Sequence, residues 1–144
     1  MRFTFSLLSL VSILLISCQK DEIPVPAEVP VEKTVTYTVY AEKDYSGSAY
    51  INAKGQLELT VAKITGNGTT EVLWDTVFAW RNLVDYPAFQ NRVILQKKFT
   101  VLDSKEKLQV SYIRKYDQNG ALSLTGTGEP APDGNTSVRY DVAM

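Results

Sequence analysis

The chain contains no histidine and a single cysteine, Cys18. Without an imidazole there is no Ser-His-Asp triad and no Cys-His pair, the usual nitrogen and sulfur ligands of zinc are missing, and one thiol cannot close an internal disulfide. No cofactor and no metal site is expected. Carboxylates, Lys, Tyr, Ser and Thr remain as chemistry, so a carboxylate-only hydrolase is the one enzyme class left, and it needs two acids placed across a substrate cleft. A small β domain rarely builds such a cleft, and the expectation is that the chain is not an enzyme. A basic patch is also lacking: 15 Lys and Arg against 16 Asp and Glu lie interspersed, which argues against a nucleic-acid partner. After the first residues no stretch shows a helical period of apolar residues.

What is present begins with Arg2 and an apolar run of 14 residues, Phe3 to Ile16, broken only by Thr4, Ser6, Ser9 and Ser12. A helix across a bilayer needs roughly 20 apolar residues, so this run has the length of a signal-peptide core and not of a membrane span. It ends at Leu15-Ile16-Ser17-Cys18 and then turns polar with Gln19-Lys20-Asp21-Glu22.

Leu15-Ile16-Ser17-Cys18 resembles the lipobox of bacterial lipoproteins. The resemblance implies that residues 1–17 are removed, that the Cys18 thiol carries diacylglycerol, and that the new amine is acylated. Each buried methylene adds about 0.8 kcal/mol, so several chains hold a protein on a bilayer essentially permanently. Gln19, Lys20, Asp21 and Glu22 resemble the export signal of surface lipoproteins of the Bacteroidota. That implies an outer-membrane protein facing the cell exterior; if the four residues are only a charged tether, the domain faces the periplasm instead.

Residues 18–33 read as the lipidated cysteine and a stalk, with Pro24, Pro26 and Pro30 suited to polyproline II and unsuited to a central strand. Residues 34–144 read as one all-β domain. Val35, Tyr37 and Val39 alternate in a first strand, Ala49, Ile51 and Ala53 in a second that reverses at Lys54-Gly55, and Leu57, Leu59 and Val61 in a third. Glu71 to Trp80 is apolar on both parities, as in a strand covered on both sides or one changing sheets midway. Arg92 to Leu102 follows, with Lys97 interrupting its apolar face at a bulge or a solvated position. Leu108, Val110, Tyr112 and Tyr116 line the next strand, Asn119-Gly120 turns it into Ala121 to Thr125, Gly126 to Asn135 reads as a loop, and Val138, Tyr140 and Val142 close the chain. About eight strands predict an antiparallel β-sandwich, immunoglobulin-like in the broad sense, with a small β-barrel as the alternative. Trp74 or Trp80 is expected at its centre.

Residues 81–91 break the strand pattern and gather Trp80, Arg81, Asp85, Tyr86 and Phe89. Flat rings beside charged and amide groups are what a pyranose needs, stacking for its CH face and polar partners for its hydroxyls. These residues are a candidate contact surface for a glycan or an outer-membrane protein, with Tyr86 and Phe89 plugging one end of the sandwich as the competing reading. Asp117-Gln118-Asn119-Gly120 lacks the further oxygen ligands of a calcium loop and reads as a hairpin turn. The function expected is therefore a lipid-anchored, non-catalytic binding or interaction module, and the alternative is a structural accessory subunit of an outer-membrane complex.

Overall fold

A computed structural model describes residues 27–144. Cys18 and the segment Gln19 to Glu22 lie outside the described residues. Eight strands form two sheets: β1 (Val31–Tyr40), β2 (Ala53–Thr65), β3 (Thr70–Val77), β4 (Arg81–Asn82), β5 (Val93–Val101), β6 (Glu106–Gln118), β7 (Ala121–Pro130) and β8 (Ser137–Ala143). The smaller sheet runs β5-β1-β8 and the larger β3-β2-β6-β7, with β4 continuing the β3 side of β2. They stack as a β-sandwich and do not close into a barrel. No helix among the described residues is long and apolar enough to cross a membrane.

The alternation in β1 does what a period of two dictates: Val35, Tyr37 and Val39 are buried and meet Leu57, Leu59 and Val61 of β2 and Leu108 and Val110 of β6. Each fully buried Leu or Val contributes about 1.5–3 kcal/mol relative to leaving it exposed. Among the described residues, every member of this core lies between Val35 and Met144. The Tyr37 hydroxyl crosses the core to the facing sheet, 2.8 Å from the Thr60 carbonyl and 3.0 Å from that of Ser111. Burial, partly offset by those bonds, raises its pKa far above the ordinary tyrosine value.

Several expectations change. Tyr37, Leu57 and Leu59 fill the centre in place of a tryptophan; Trp74 is half-buried, 6.0 Å from the Tyr37 ring, and Trp80 is 41% exposed. β3 is an edge strand with mostly exposed residues, because only β2 pairs with it, and the register shifts between Val61 and Ala62. Of the two readings of Lys97 the solvated position holds: β5 pairs with β1 in unbroken register with no bulge, the side chain is exposed, and the ammonium lies 5.5 Å from the Trp74 ring centre.

Ser48–Tyr50 forms one turn of 3-10 helix instead of a strand. Lys54-Gly55 is no reversal but the start of β2, and its glycine answers a packing need: a Cβ there would stand 2.8 Å from Leu83 Cδ2 and 2.9 Å from Met144 Cε. Gly126 to Pro130, expected in a loop, extends β7. β1 begins at Val31, ahead of Thr34, and the pairing is not wholly antiparallel, since β8 lies parallel to β1 from Thr34↔Ser137 to Tyr40↔Ala143.

The registers give the sandwich a base and a tip. Val31↔Val101 and Thr65↔Glu106 lie at the base, where the chain arrives from residue 30. Tyr40↔Ala143, Ala53↔Gln118 and Gly55↔Arg81 lie at the tip.

Candidate binding surface

Three connections meet at the tip: residues 41–52 between β1 and β2, residues 83–92 between β4 and β5, and the hairpin at Asn119-Gly120. The first two are tied by the Ala41 N–H donating to the Pro87 carbonyl at 2.7 Å. The hairpin turns because Asn119 and Gly120 take φ of 55° and 84°, and the Asp117 carboxylate accepts the Gly120 N–H at 2.8 Å. This is a turn, as its sequence predicts, and among the described residues no cluster of three acidic or sulfur ligands could hold a metal.

Residues 41–52 fold around Tyr45, whose hydroxyl donates to the Met144 carbonyl at 2.8 Å inside the core. The Tyr50 ring meets the Tyr45 ring edge-on at 5.1 Å, and the Lys43 ammonium lies 4.9 Å from the Tyr50 centre and 5.6 Å from that of Tyr45. A hydrogen bond with the Tyr50 hydroxyl, then its partial negative charge, raises the Lys43 pKa. Asp44 is held below the usual carboxylate range by the Ser46 N–H and then by its hydroxyl.

Two clefts open on either side of this loop and share Tyr45 and Leu83. One, of about 340 Å³, is lined by Lys43, Asp44, Val84, Tyr86 and Phe89 among others. The other, also about 340 Å³, is lined by Glu42, Tyr50, Lys54, Arg114, Tyr116 and Asp117. Both fall at the lower end of the size range of small-molecule sites, and both mix rings with charges of either sign. The Arg114 guanidinium donates to the Ala143 carbonyl at 2.7 Å, leaving its buried Nε without a partner. Burial raises the pKa values of Tyr116 and Tyr45 above the ordinary tyrosine value. A cleft at the base, about 330 Å³ between Glu129 and Arg139, has Tyr140 as its one aromatic ring.

The five residues singled out in the sequence separate. Tyr86 and Phe89 line the first cleft together, but Tyr86 is core: its hydroxyl donates to the Gly55 carbonyl at 3.2 Å, and burial pushes its pKa up to about 12. Phe89 is 51% exposed, edge-on to Tyr40 at 5.0 Å with the Arg92 guanidinium 4.8 Å from its centre. Arg81 lies over the Tyr86 ring at 5.3 Å and the Phe78 ring at 5.8 Å. Asp85 accepts from the Asn82 amide at 3.2 Å. Trp80 stands apart, on the outer face of the larger sheet with Lys115, Leu122 and Leu124.

The residues that complete the clefts, Glu42 to Tyr50 and Arg114 to Asp117, are not among the candidate contact residues that the sequence pattern singles out. The cluster of Tyr45, Tyr50 and Lys43 within eight residues was the available signal. The chain matches no protein family, and no curated protein or solved structure shows a significant similarity to it.

Proposed function

We propose that the chain is a non-catalytic binding module, anchored in the outer membrane through acylated Cys18 and facing the cell exterior, whose tip contacts a glycan. The observation that carries this reading is polarity. The chain arrives at the base, so a lipid on Cys18 would hold that end nearest the membrane, and the two ring-lined clefts open at the opposite end. Tyr50 is partly exposed and Phe89 51% exposed, each with one face under a cation and the remaining ring surface available to a sugar's CH groups, and Glu42, Asp44, Lys54 and Asp117 offer donors and acceptors for hydroxyls.

A glycan array probed with residues 27–144 tests the tip. Retention of a glycan that Tyr50→Ala and Phe89→Ala weaken, with thermal unfolding unchanged, supports the reading. No retained glycan, or retention untouched by both variants, overturns it. The anchor is tested apart: Cys18→Ala in the full chain should abolish fatty-acid labelling and release the protein from membranes, and a variant that stays labelled and membrane-bound rejects lipidation at Cys18.

A further inference from the structure

Each sheet has two edges, and three of the four carry charge. β3 has Glu71 and Asp75, β5 has Lys97 and Lys98, and β8 has Arg139 and Asp141. Charged residues, breaks and shifted register are how a sheet keeps its open backbone from pairing with other chains. β7 has none of these from Ala121 to Gly128: it is ten residues long, pairs with β6 in unbroken register, carries no charge before Glu129, and every residue in it is exposed. Leu122 and Leu124 are 74% and 65% exposed on the outer face, beside Trp80 in a pocket of about 160 Å³. Ser123, Thr125 and Thr127 occupy the other face.

The two-residue turn at Asn119-Gly120 makes Gln118 and Ala121 a hydrogen-bonded pair, so odd-numbered residues of β7 bond to β6. Leu122, Leu124, Gly126 and Gly128 then turn their N–H and C=O groups to the open side. Those four residues also divide by size along the outer face, two leucines followed by two glycines.

We propose that β7 is a self-association edge: two copies of this chain pair antiparallel through β7 about a two-fold axis at Thr125. That register sets Leu124 opposite Gly126 and Leu122 opposite Gly128 of the second copy, large against small on the outer face. On the inner face it sets Thr125 against Thr125 and Ser123 against Thr127, hydroxyl against hydroxyl, a favourable cross-strand match. Glu129 meets Ala121, so no like charges face each other. The open backbone groups of the four even-numbered residues become two hydrogen bonds per facing pair. A foreign strand would need the same uncharged alternation; a second copy supplies it by identity.

The two-fold places the bases of the two copies at opposite ends of the joint sheet. A ten-residue β1 spans about 33 Å at ~3.3 Å per residue. Two copies anchored on one membrane would need a tether of about that reach ahead of β1. The inference does not depend on what the tip binds, but on one membrane the pair turns the tip of one copy toward the bilayer, so for that copy pairing and an outward-facing tip are alternative states.

Residues 27–144 contain no cysteine, which allows a direct test of the register. Facing residues at a non-hydrogen-bonded antiparallel position have Cα atoms ≈ 4.5 Å apart, within disulfide range. Thr125→Cys should give a disulfide-linked dimer under mild oxidation, and Ser123→Cys should not. Sedimentation velocity of the unmodified segment should show dimer growing with concentration. Leu124→Pro, which removes one open N–H without touching a bond to β6, and Leu122→Lys with Leu124→Lys should each weaken it by about tenfold or more, with unfolding temperature kept. A monomer up to about 1 mM, a dimer indifferent to these variants, or a disulfide link in Ser123→Cys and none in Thr125→Cys would overturn the proposal.

Discussion

The base and the tip of the sandwich use their cations differently. At the base Lys33 meets Asp103 at 2.7 Å, Lys63 meets Glu71 at 3.1 Å and Glu106 at 3.3 Å, Lys105 meets Glu28 at 3.0 Å, and Lys107 meets Asp133 at 3.1 Å. At the tip Lys43, Arg81 and Arg92 lie over rings, and among the described residues none of the three has a carboxylate at ion-pair distance. Paired charges close the base: Glu106 accepts the Leu102 N–H, which with Lys63 holds its carboxyl below the usual range and fixes the turn into β6. Among the described residues neither Glu42 nor Asp117 has a cation at ion-pair distance, although Lys54 and Arg114 line the same cleft, and such a mixture of rings and unpaired charges is the composition of a surface that meets polar ligands.

The largest break in that contrast should come from the base. Lys33 is 2% exposed, the least exposed charged residue among the described ones, and its buried ammonium meets the carboxylate of Asp103, whose side chain reaches the surface. Asp103→Ala strands that ammonium in an apolar site, at a cost of about 3 kcal/mol by urea unfolding, because removing one partner of a buried pair leaves the other charge uncompensated. The double variant Lys33→Met with Asp103→Ala should recover most of the loss. If Asp103→Ala alone costs no more than an exposed pair, about 0–1 kcal/mol, the base is held by its backbone turns and the contrast with the tip fails.

What the sequence revealed follows the same division. Strands in the middle of the sheets were legible because a half-buried strand must alternate: Val35, Tyr37, Val39, Leu57, Leu59 and Val61 are all buried as their parity demands. Asn119-Gly120 was legible because a two-residue hairpin requires positive φ at both positions. Gly55 was misread for the opposite reason, since a glycine needed for close approach looks the same in sequence as one needed for a turn. The end of β7 was misread because Thr-Gly-Thr-Gly-Glu-Pro has turn composition, and only its register with β6 makes it a strand. The tip escaped recognition as a whole because its clefts join residues 42–50 to residues 114–117, a pairing that depends on Ala53 lying beside Gln118. Trp80 and Tyr86, drawn together in sequence, go to an outer face and to the core.

The smallest effect belongs to the tip, and its signature is pH. Tyr86 is buried against Gly55, with its pKa pushed up to about 12 chiefly by burial, while in the unfolded chain it titrates near 10. Between those values the folded state keeps a proton that the unfolded state releases, so the contribution is full below pH 10 and is lost as pH rises toward 12. Tyr86→Phe should cost about 1 kcal/mol at pH 8 through the missing bond to the Gly55 carbonyl. Above pH 10 its stability should fall less steeply than that of the unmodified domain, and the two curves should cross at about pH 11 in urea titrations run from pH 8 to 12, because the proton linkage then outweighs the lost bond. Equal slopes would mean that the Tyr86 hydroxyl ionises as readily in the folded tip as in the unfolded chain. The tip would then be open to water at Gly55, and Arg81 would be covering a solvated ring and not a closed core.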